Sequence, residues 1–178
     1  MQNTTGAAEP APPKSTFLFL MCLSIGIAAG IVLKLFVLDI LRVSGSSMEP
    51  AVRDNSVVFV NKLAYGLVKP FHGSFLVQWG GPRVGDIVIF LHDDKFVIKR
   101  CAAVSGGRLD FSADSGYSMD VGGETVALTE EQFNRMKSSS VVPDGYILAL
   151  GDNRAESVDS RNYGFVSVKN ITGKIIGK

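Results

Sequence analysis

Hydrophobic positions fall into two regimes along this chain. Residues Phe17 to Leu33, "FLFLMCLSIGIAAGIVL", form one uncharged run, and apolar character continues past Lys34 to Leu38. About twenty such residues suffice to cross roughly 30 Å of hydrocarbon, so the run predicts a transmembrane helix over residues 17–40. A cleaved secretory leader is the competing account. Its apolar region would be about 7–15 residues ending in a small-residue site, whereas this run is longer and leads into "KLFVLDILR". Lys34 lies near one end of the run, where its stem can carry the amine to the interface.

Beyond Arg42 the apolar segments shorten. "SVVFV" at 56–60, "DIVIFL" at 86–91, "KFVIKRCAAV" at 95–104, "YILAL" at 146–150 and "GFVSV" at 164–168 are separated by Gly, Asp, Asn and Pro. Short segments rich in Val, Ile and Phe between turn residues predict strands, hence a mainly β domain over residues 41–178. One helix is expected in "LTEEQFNRMK", with Thr129 as N-cap, Gln132 as its capping-box partner and basic residues in the last turn. It stands in a Gly- and Ser-rich stretch, residues 105–140, that reads as an insertion between strands. The segment Tyr65 to Pro82 carries Phe71, Phe75, Leu76 and Trp79 without a clear period. It reads either as a loop filling the core's edge or as an apolar surface for a bilayer or an apolar substrate. Residues 1–16, rich in Pro, Ala, Thr and Gly, read as a disordered tail.

Composition narrows the function classes. The chain has 178 residues, 46% of them hydrophobic, enough for one domain with a real core. Lys plus Arg number 18 and Asp plus Glu 17, so the net charge of +1 offers no general attraction to nucleic acid. The two cysteines, Cys22 in the apolar run and Cys101 far downstream, do not suggest a disulfide. Two histidines, no H-E-x-x-H and no clustered Cys or His leave a metal site without ligands, and no cofactor is implied. A Ser-His-Asp triad drawing on Asp86, His92 and Asp93 is disfavoured, because "LHDDK" reads as an exposed hairpin turn. S-x-x-K is absent.

A serine can instead be activated by a lysine kept neutral by burial. In "FVIKRCAAV" the strand period of two places Val97, Lys99, Cys101 and Ala103 on one face. Lys99 thus shares its face with small or apolar neighbours, although a lone strand lysine is commonly solvent-facing. The run "GDNRAESVDSRNYG", Gly151 to Gly164, could supply Ser157 to orient a lysine amine, with Asp159 and Arg161 as a bracing ion pair. It could equally be a solvated loop satisfying its own turns.

Taken together, these segments resemble the bacterial type I signal peptidases, membrane-bound serine proteases that cut signal peptides from exported preproteins. "GSSMEP" at Gly45–Pro50 is similar to the family's serine motif, "GDIVIF" at Gly85–Phe90 to its G-D-x-V-x-F motif, and "FVIKR" to its lysine motif. The run Gly151–Gly164 agrees with G-D-N-R-x-x-S-x-D-S-R-x-x-G at every fixed position. The resemblance implies a signal-peptidase-like antiparallel fold, Ser47 as nucleophile, Lys99 as general base and Ser157 orienting Lys99. It also implies Asp159 and Arg161 bracing the loop, Met48, Asp152 and Asn153 as supporting positions, and the Ser47 backbone N–H as oxyanion donor. A second donor is left open between Ser44 and Ser46, because Gly45 stands where some members have serine. A further departure is Ser105-Gly106-Gly107 where the family has P-G-D, which implies an altered turn. The expected partners are the lipid bilayer and preproteins with small residues at −1 and −3, bound as an added strand. The expected location is the cytoplasmic membrane, crossed once, with the tail inside and the catalytic domain outside. The alternatives are another Ser-Lys protease of the same clan and an inactive membrane-anchored module on the same fold.

Overall fold

A computed structural model of the chain describes residues 14–69 and 75–177. The first apolar run is helical: α1 spans Lys14–Val32 and continues through a π-helical turn, Leu33–Val37, so residues 14–16, expected in the tail, belong to the helix, and the rest of the expected tail lies outside the described residues. The 23 residues Ser15–Val37 are long and apolar enough to cross a membrane, and the apolar stretch is not buried against the rest of the chain. The helix gives way three residues before the expected boundary at 40. Leu38–Arg42 instead form a strand, β1, because "LDILR" alternates with period two, Asp39 and Leu41 inward and Leu38, Ile40 and Arg42 outward. Lys62 closes this junction by donating to the carbonyls of Lys34 and Leu35 at 3.4 and 3.3 Å and pairing with Asp39 at 3.1 Å.

The remaining strands are β2 (Val57–Asn61), β3 (Gly66–Val68), β4 (Phe75–Gln78), β5 (Ile87–His92), β6 (Lys95–Val104), β7 (Leu109–Ser112), β8 (Ser118–Val121), β9 (Glu124–Ala127), β10 (Tyr146–Leu150), β11 (Val166–Ser167) and β12 (Ile171–Gly177). The main sheet is antiparallel and ordered β1-β2-β12-β5-β6-β10-β11. Its centre is the β5–β6 hairpin, whose turn residues Asp93 and Asp94 both take positive φ, as a tight two-residue turn demands. The mainly β reading therefore stands.

The insertion at 105–140 holds more than the expected helix. The helix α2 (Glu130–Met136) has the Thr129–Gln132 capping box, but β7, β8 and β9 form a separate three-stranded sheet beside it. Leu109, Met119, Val121, Val126 and Met136 pack there against Ala103, Leu148 and Leu150 of the main sheet. The Tyr65–Pro82 segment is a β3–β4 hairpin as far as it is described. Phe75 packs on the core, whereas Leu76, Val77 and Trp79 are exposed. Phe71 lies outside the described residues.

Two further cores flank the main sheet. One gathers Tyr65, Val88, Phe90, Cys101, Ile147 and Ile171; the other gathers Val43, Met48, Val52, Val58, Val60 and Ile89. Phe90 is fully buried at the centre of the first. Phe90→Ala should therefore lower stability by about 3–5 kcal/mol, seen as a shift of the urea midpoint with little change in slope.

Candidate active site

Ser47 stands on a turn whose shape is set by main-chain and side-chain hydrogen bonds. After β1, Val43 N–H donates to Ser56 O at 2.9 Å and Asn55 N–H to Val43 O at 3.0 Å. Gly45 N–H donates to Asp54 Oδ1 at 2.8 Å, and Gly45 adopts φ +104, a region open to residues without Cβ. Met48, the residue after the serine, is 1% exposed and sits in the core with Val52. The turn is thus nailed down by an apolar side chain immediately beside the hydroxyl it presents.

Lys99 comes from the middle of β6, on the face that the alternation predicts: Lys99, Cys101 and Ala103 are buried, while Arg100 and Ala102 are only half-buried. Lys99 is 3% exposed and its Nζ lies 2.7 Å from Ser47 Oγ. Burial is the main influence on this amine and lowers its pKa. Asp159 and Asp152 pull it up, Arg161 pushes it down, and the net direction is downward.

The loop after β10 closes over the pair. Asn153 N–H donates to Ser47 O at 3.1 Å, so the loop backbone holds the serine residue directly. Gly151 fills a space that tolerates no side chain: a Cβ there would come 2.1 Å from Ser157 Oγ and 2.6 Å from Ser47 O. Gly151 N–H donates to Asp159 Oδ2 at 2.9 Å. Asp159 also caps α3 (Ser160–Tyr163) and receives Arg161 Nε at 2.9 Å and Nη2 at 3.0 Å, with both side chains buried. Arg161 Nη2 reaches on to Arg154 O at 2.8 Å. Burial alone would raise the Asp159 carboxyl, but hydrogen bonds from the Arg161 side chain and the Gly151 N–H hold it below the usual carboxylate range.

Ser157 is buried in this loop, where its hydroxyl helps lower the Asp159 carboxyl but makes no hydrogen bond of full geometry, to Lys99 or to any other described residue. Ser44 is exposed, and Ser46 Oγ donates to Glu156 Oε2. That Ser46–Glu156 contact had no signal in the sequence, since the two residues are 110 positions apart. Two more contacts escaped the sequence. Arg100, on the β6 face opposite Lys99, grips Asp152 through Nε at 2.7 Å and Nη2 at 2.6 Å. Arg154 joins Gly151 O to Glu124 Oε1 of β9, the latter at 2.7 Å, tying the insertion to the loop. His92 lies at the end of β5 against the Tyr163 ring, with centroids 4.1 Å apart, and is not a partner of Ser47. Among the described residues no group of three His, Cys, Asp or Glu could hold a metal ion.

A cleft of about 530 Å³ opens over Ser47 and Lys99, bordered by Leu41, Val43, Val97 and Ile98 on one side and by Glu156 and Val158 on the other. An antiparallel β domain that brings a serine hydroxyl to a buried amine in an open cleft has the architecture of a serine peptidase. A family model described as signal peptidase, peptidase S26, matches residues 15–177, and the chain belongs to that family. It is 31% identical over 160 residues to signal peptidase I of Bacillus caldolyticus, covering 80% of each chain. It is 28% identical over 160 residues to signal peptidase IB of Staphylococcus aureus strain Mu50, covering 79% of this chain and 76% of that one. A crystal structure of a signal peptidase I from Enterococcus faecalis V583 aligns with TM-score 0.40 at 23% identity, over 53% of this chain and 97% of that one.

Removing one partner of the buried pair should be costly. Arg161→Met leaves the Asp159 charge buried and is expected to lose about 3–5 kcal/mol of stability at neutral pH by denaturant unfolding. The folded pKa of Asp159 lies below its unfolded value, so the pair's contribution is complete above about pH 4 and is lost as pH falls through the lower folded value. The gap between wild type and variant should accordingly shrink in acid.

Proposed function

We propose that this peptidase removes N-terminal signal peptides from exported preproteins, with Ser47 as nucleophile and Lys99 as general base. The observation that carries the reading is the 2.7 Å approach of Lys99 Nζ to Ser47 Oγ, with the amine buried and its pKa lowered. A neutral amine accepts the hydroxyl proton as Oγ attacks the scissile carbonyl. The resulting ammonium returns that proton to the leaving amine of the mature chain, which leaves the signal peptide esterified to Ser47. Lys99, neutral again, then takes a proton from the water that attacks the ester carbonyl and gives it to Ser47 Oγ as the acyl–oxygen bond breaks, which releases the signal peptide with a free carboxyl end and restores the serine. The Ser47 N–H donates to the oxyanion, and Ser44 is the second donor, because the Ser46 hydroxyl is engaged by Glu156. Ser157 orients the Lys99 amine on this reading, while Asp159 and Arg161 brace the loop and Met48, Asp152 and Asn153 support the serine turn and its contacts.

The apolar helix anchors the protein in the cytoplasmic membrane, with the tail inside and the β domain outside, where preproteins emerge. The substrate lies extended in the cleft beside β6, with small side chains at −1 and −3 turned toward the catalytic pair.

Cleavage of a purified preprotein by the full-length enzyme tests the pair. Ser47→Ala and Lys99→Ala should each lose at least about 10⁴-fold in kcat, and retained activity in either would overturn the assignment. Lys99→Arg should be equally inactive, because a guanidinium stays protonated. Ser44→Ala should lower kcat about 10²-fold, with Ser46→Ala near wild type; the reverse ranking would make Ser46 the donor.

A pH profile tests the base separately. Since burial lowers the Lys99 pKa, kcat/KM should rise with pH and level off below the ordinary lysine value of about 10.4. A limb rising only at that value would place the amine in water.

A further inference from the structure

The cleft over Ser47 carries a charge on each of two walls that the proposed chemistry does not use. Arg42 closes β1 on one side, exposed and without an ion-pair partner among the described residues; Glu156, in the loop after β10, stands on the other and is the one carboxylate among the described residues bordering the cleft. Position 156 is one of the open positions of G-D-N-R-x-x-S-x-D-S-R-x-x-G, so the resemblance assigns it no role. Its place is nevertheless fixed. Glu156 N–H donates to Asn153 O at 3.2 Å, the N–H of buried Ser157 donates to the same oxygen at 3.0 Å, and the Glu156 carboxylate accepts from Ser46 Oγ. Ser46 adjoins Ser47, so an exposed carboxylate is tied one residue from the serine hydroxyl. No basic side chain pairs with it among the described residues, which leaves its charge free to act on whatever enters the cleft.

We propose that Glu156 is a specificity residue whose carboxylate reads the charge of the substrate side chains on either side of −1, favouring basic over acidic residues at −2 and +1. The proposal deepens the signal-peptide reading above and rests on it. In an extended substrate successive side chains turn to opposite faces. With −1 and −3 directed at the catalytic pair, −2 and +1 are turned away from it, and these are the side chains left to meet the charged rim. An exposed carboxylate acts through water, so each unit of substrate charge changes the preference by about 3-fold. Glu156 touches no reacting atom, and its effect falls on the choice between substrates, read in kcat/KM. Arg42 on the opposite wall carries the opposite sign, and a neutral Lys99 adds no charge, so the sign of the preference tells which wall is read.

The test gives full-length enzyme, in detergent micelles, preproteins that differ only in carrying Lys, Gln or Glu at −2, and a second set that differs in the same way at +1. Wild type should rank Lys above Gln above Glu in kcat/KM, by about 3-fold per step, at one of the two positions or at both. Glu156→Gln, which keeps an acceptor for the Ser46 hydroxyl, should flatten the ranking and leave the Gln preproteins near wild type, and Glu156→Lys should invert it. Salt at roughly 1 M should also flatten the wild-type ranking, because it screens charges beyond about 3 Å. A purely structural Glu156 would slow all the substrates alike when replaced, and that result would overturn the inference, as would a flat wild-type ranking at both positions. So would a preference for Glu that disappears in Arg42→Gln, which would assign the reading to the other wall. If wild type leaves even the Gln preproteins uncut, the signal-peptide reading falls and this inference with it.

Discussion

On the proposed reading, the site depends on keeping one amine out of water so that its charged form is disfavoured. Lys99 is almost wholly enclosed, and enclosure disfavours its ammonium form. Two carboxylates stand near enough to undo this, since both Asp159 and Asp152 pull the amine toward protonation. Each is already committed elsewhere: Asp159 accepts from Arg161 at 2.9 and 3.0 Å, and Asp152 from Arg100 at 2.7 and 2.6 Å. Arg161 pushes the amine down against the pull of its partner Asp159, and burial is the largest influence, so the net direction is downward. On the proposed reading, the Asp159–Arg161 pair therefore acts on the chemistry by offsetting its own acid at Lys99, while both pairs hold the loop in place.

The same loop sets the position of the serine. Asn153 N–H holds Ser47 O, Gly151 lets Ser157 and Ser47 O approach its bare Cα, and Arg161 and Arg154 bind the loop's own carbonyls. Through Arg154 and Glu124 this network reaches β9 of the insertion. That ion pair is partly exposed and contributes little by itself. The insertion is joined to the site more firmly through the apolar core that Met119, Val121 and Val126 share with Leu148 and Leu150, the last residues before Gly151.

Much of this could be read from the chain, and what could not has identifiable causes. The β6 alternation put Lys99 on an enclosed face because ten residues of a strand give the period of two room to declare itself. The Thr129 cap was legible because a capping box is local. β1 was partly assigned to the membrane helix because "LDILR" continues an apolar run, and only the pairing partner Val57–Asn61 decides between helix and strand. The strands β7 to β9 are four residues each, too short for a clear period among Ser and Gly. Even so, the Gly122–Gly123 pair between β8 and β9 was a hairpin signal. The site itself joins residues near 47, 99 and 151–161, and no local pattern specifies contacts at such separations. Its members were recognised by motif resemblance, whereas Arg100–Asp152 and Ser46–Glu156, formed by side chains across the fold, left no trace in the linear pattern.

The early end of the helix has a consequence for how the enzyme meets its substrate. A flexible tether from the helix would let Ser47 roam through a volume of many orientations. Here β1 begins at Leu38, directly after the π turn, and is paired along its whole length with β2, while Lys62 holds the helix's last carbonyls. Only the turn from Val43 to Ser47 separates the sheet from the serine hydroxyl, and that turn is fixed by Gly45, Met48 and Asn153. On the proposed reading, the height of Ser47 above the bilayer is then a property of the fold rather than of chain entropy. A preprotein held in the same membrane meets the catalytic pair at a fixed distance from its apolar segment, and geometry as well as side-chain size selects the bond that is cut.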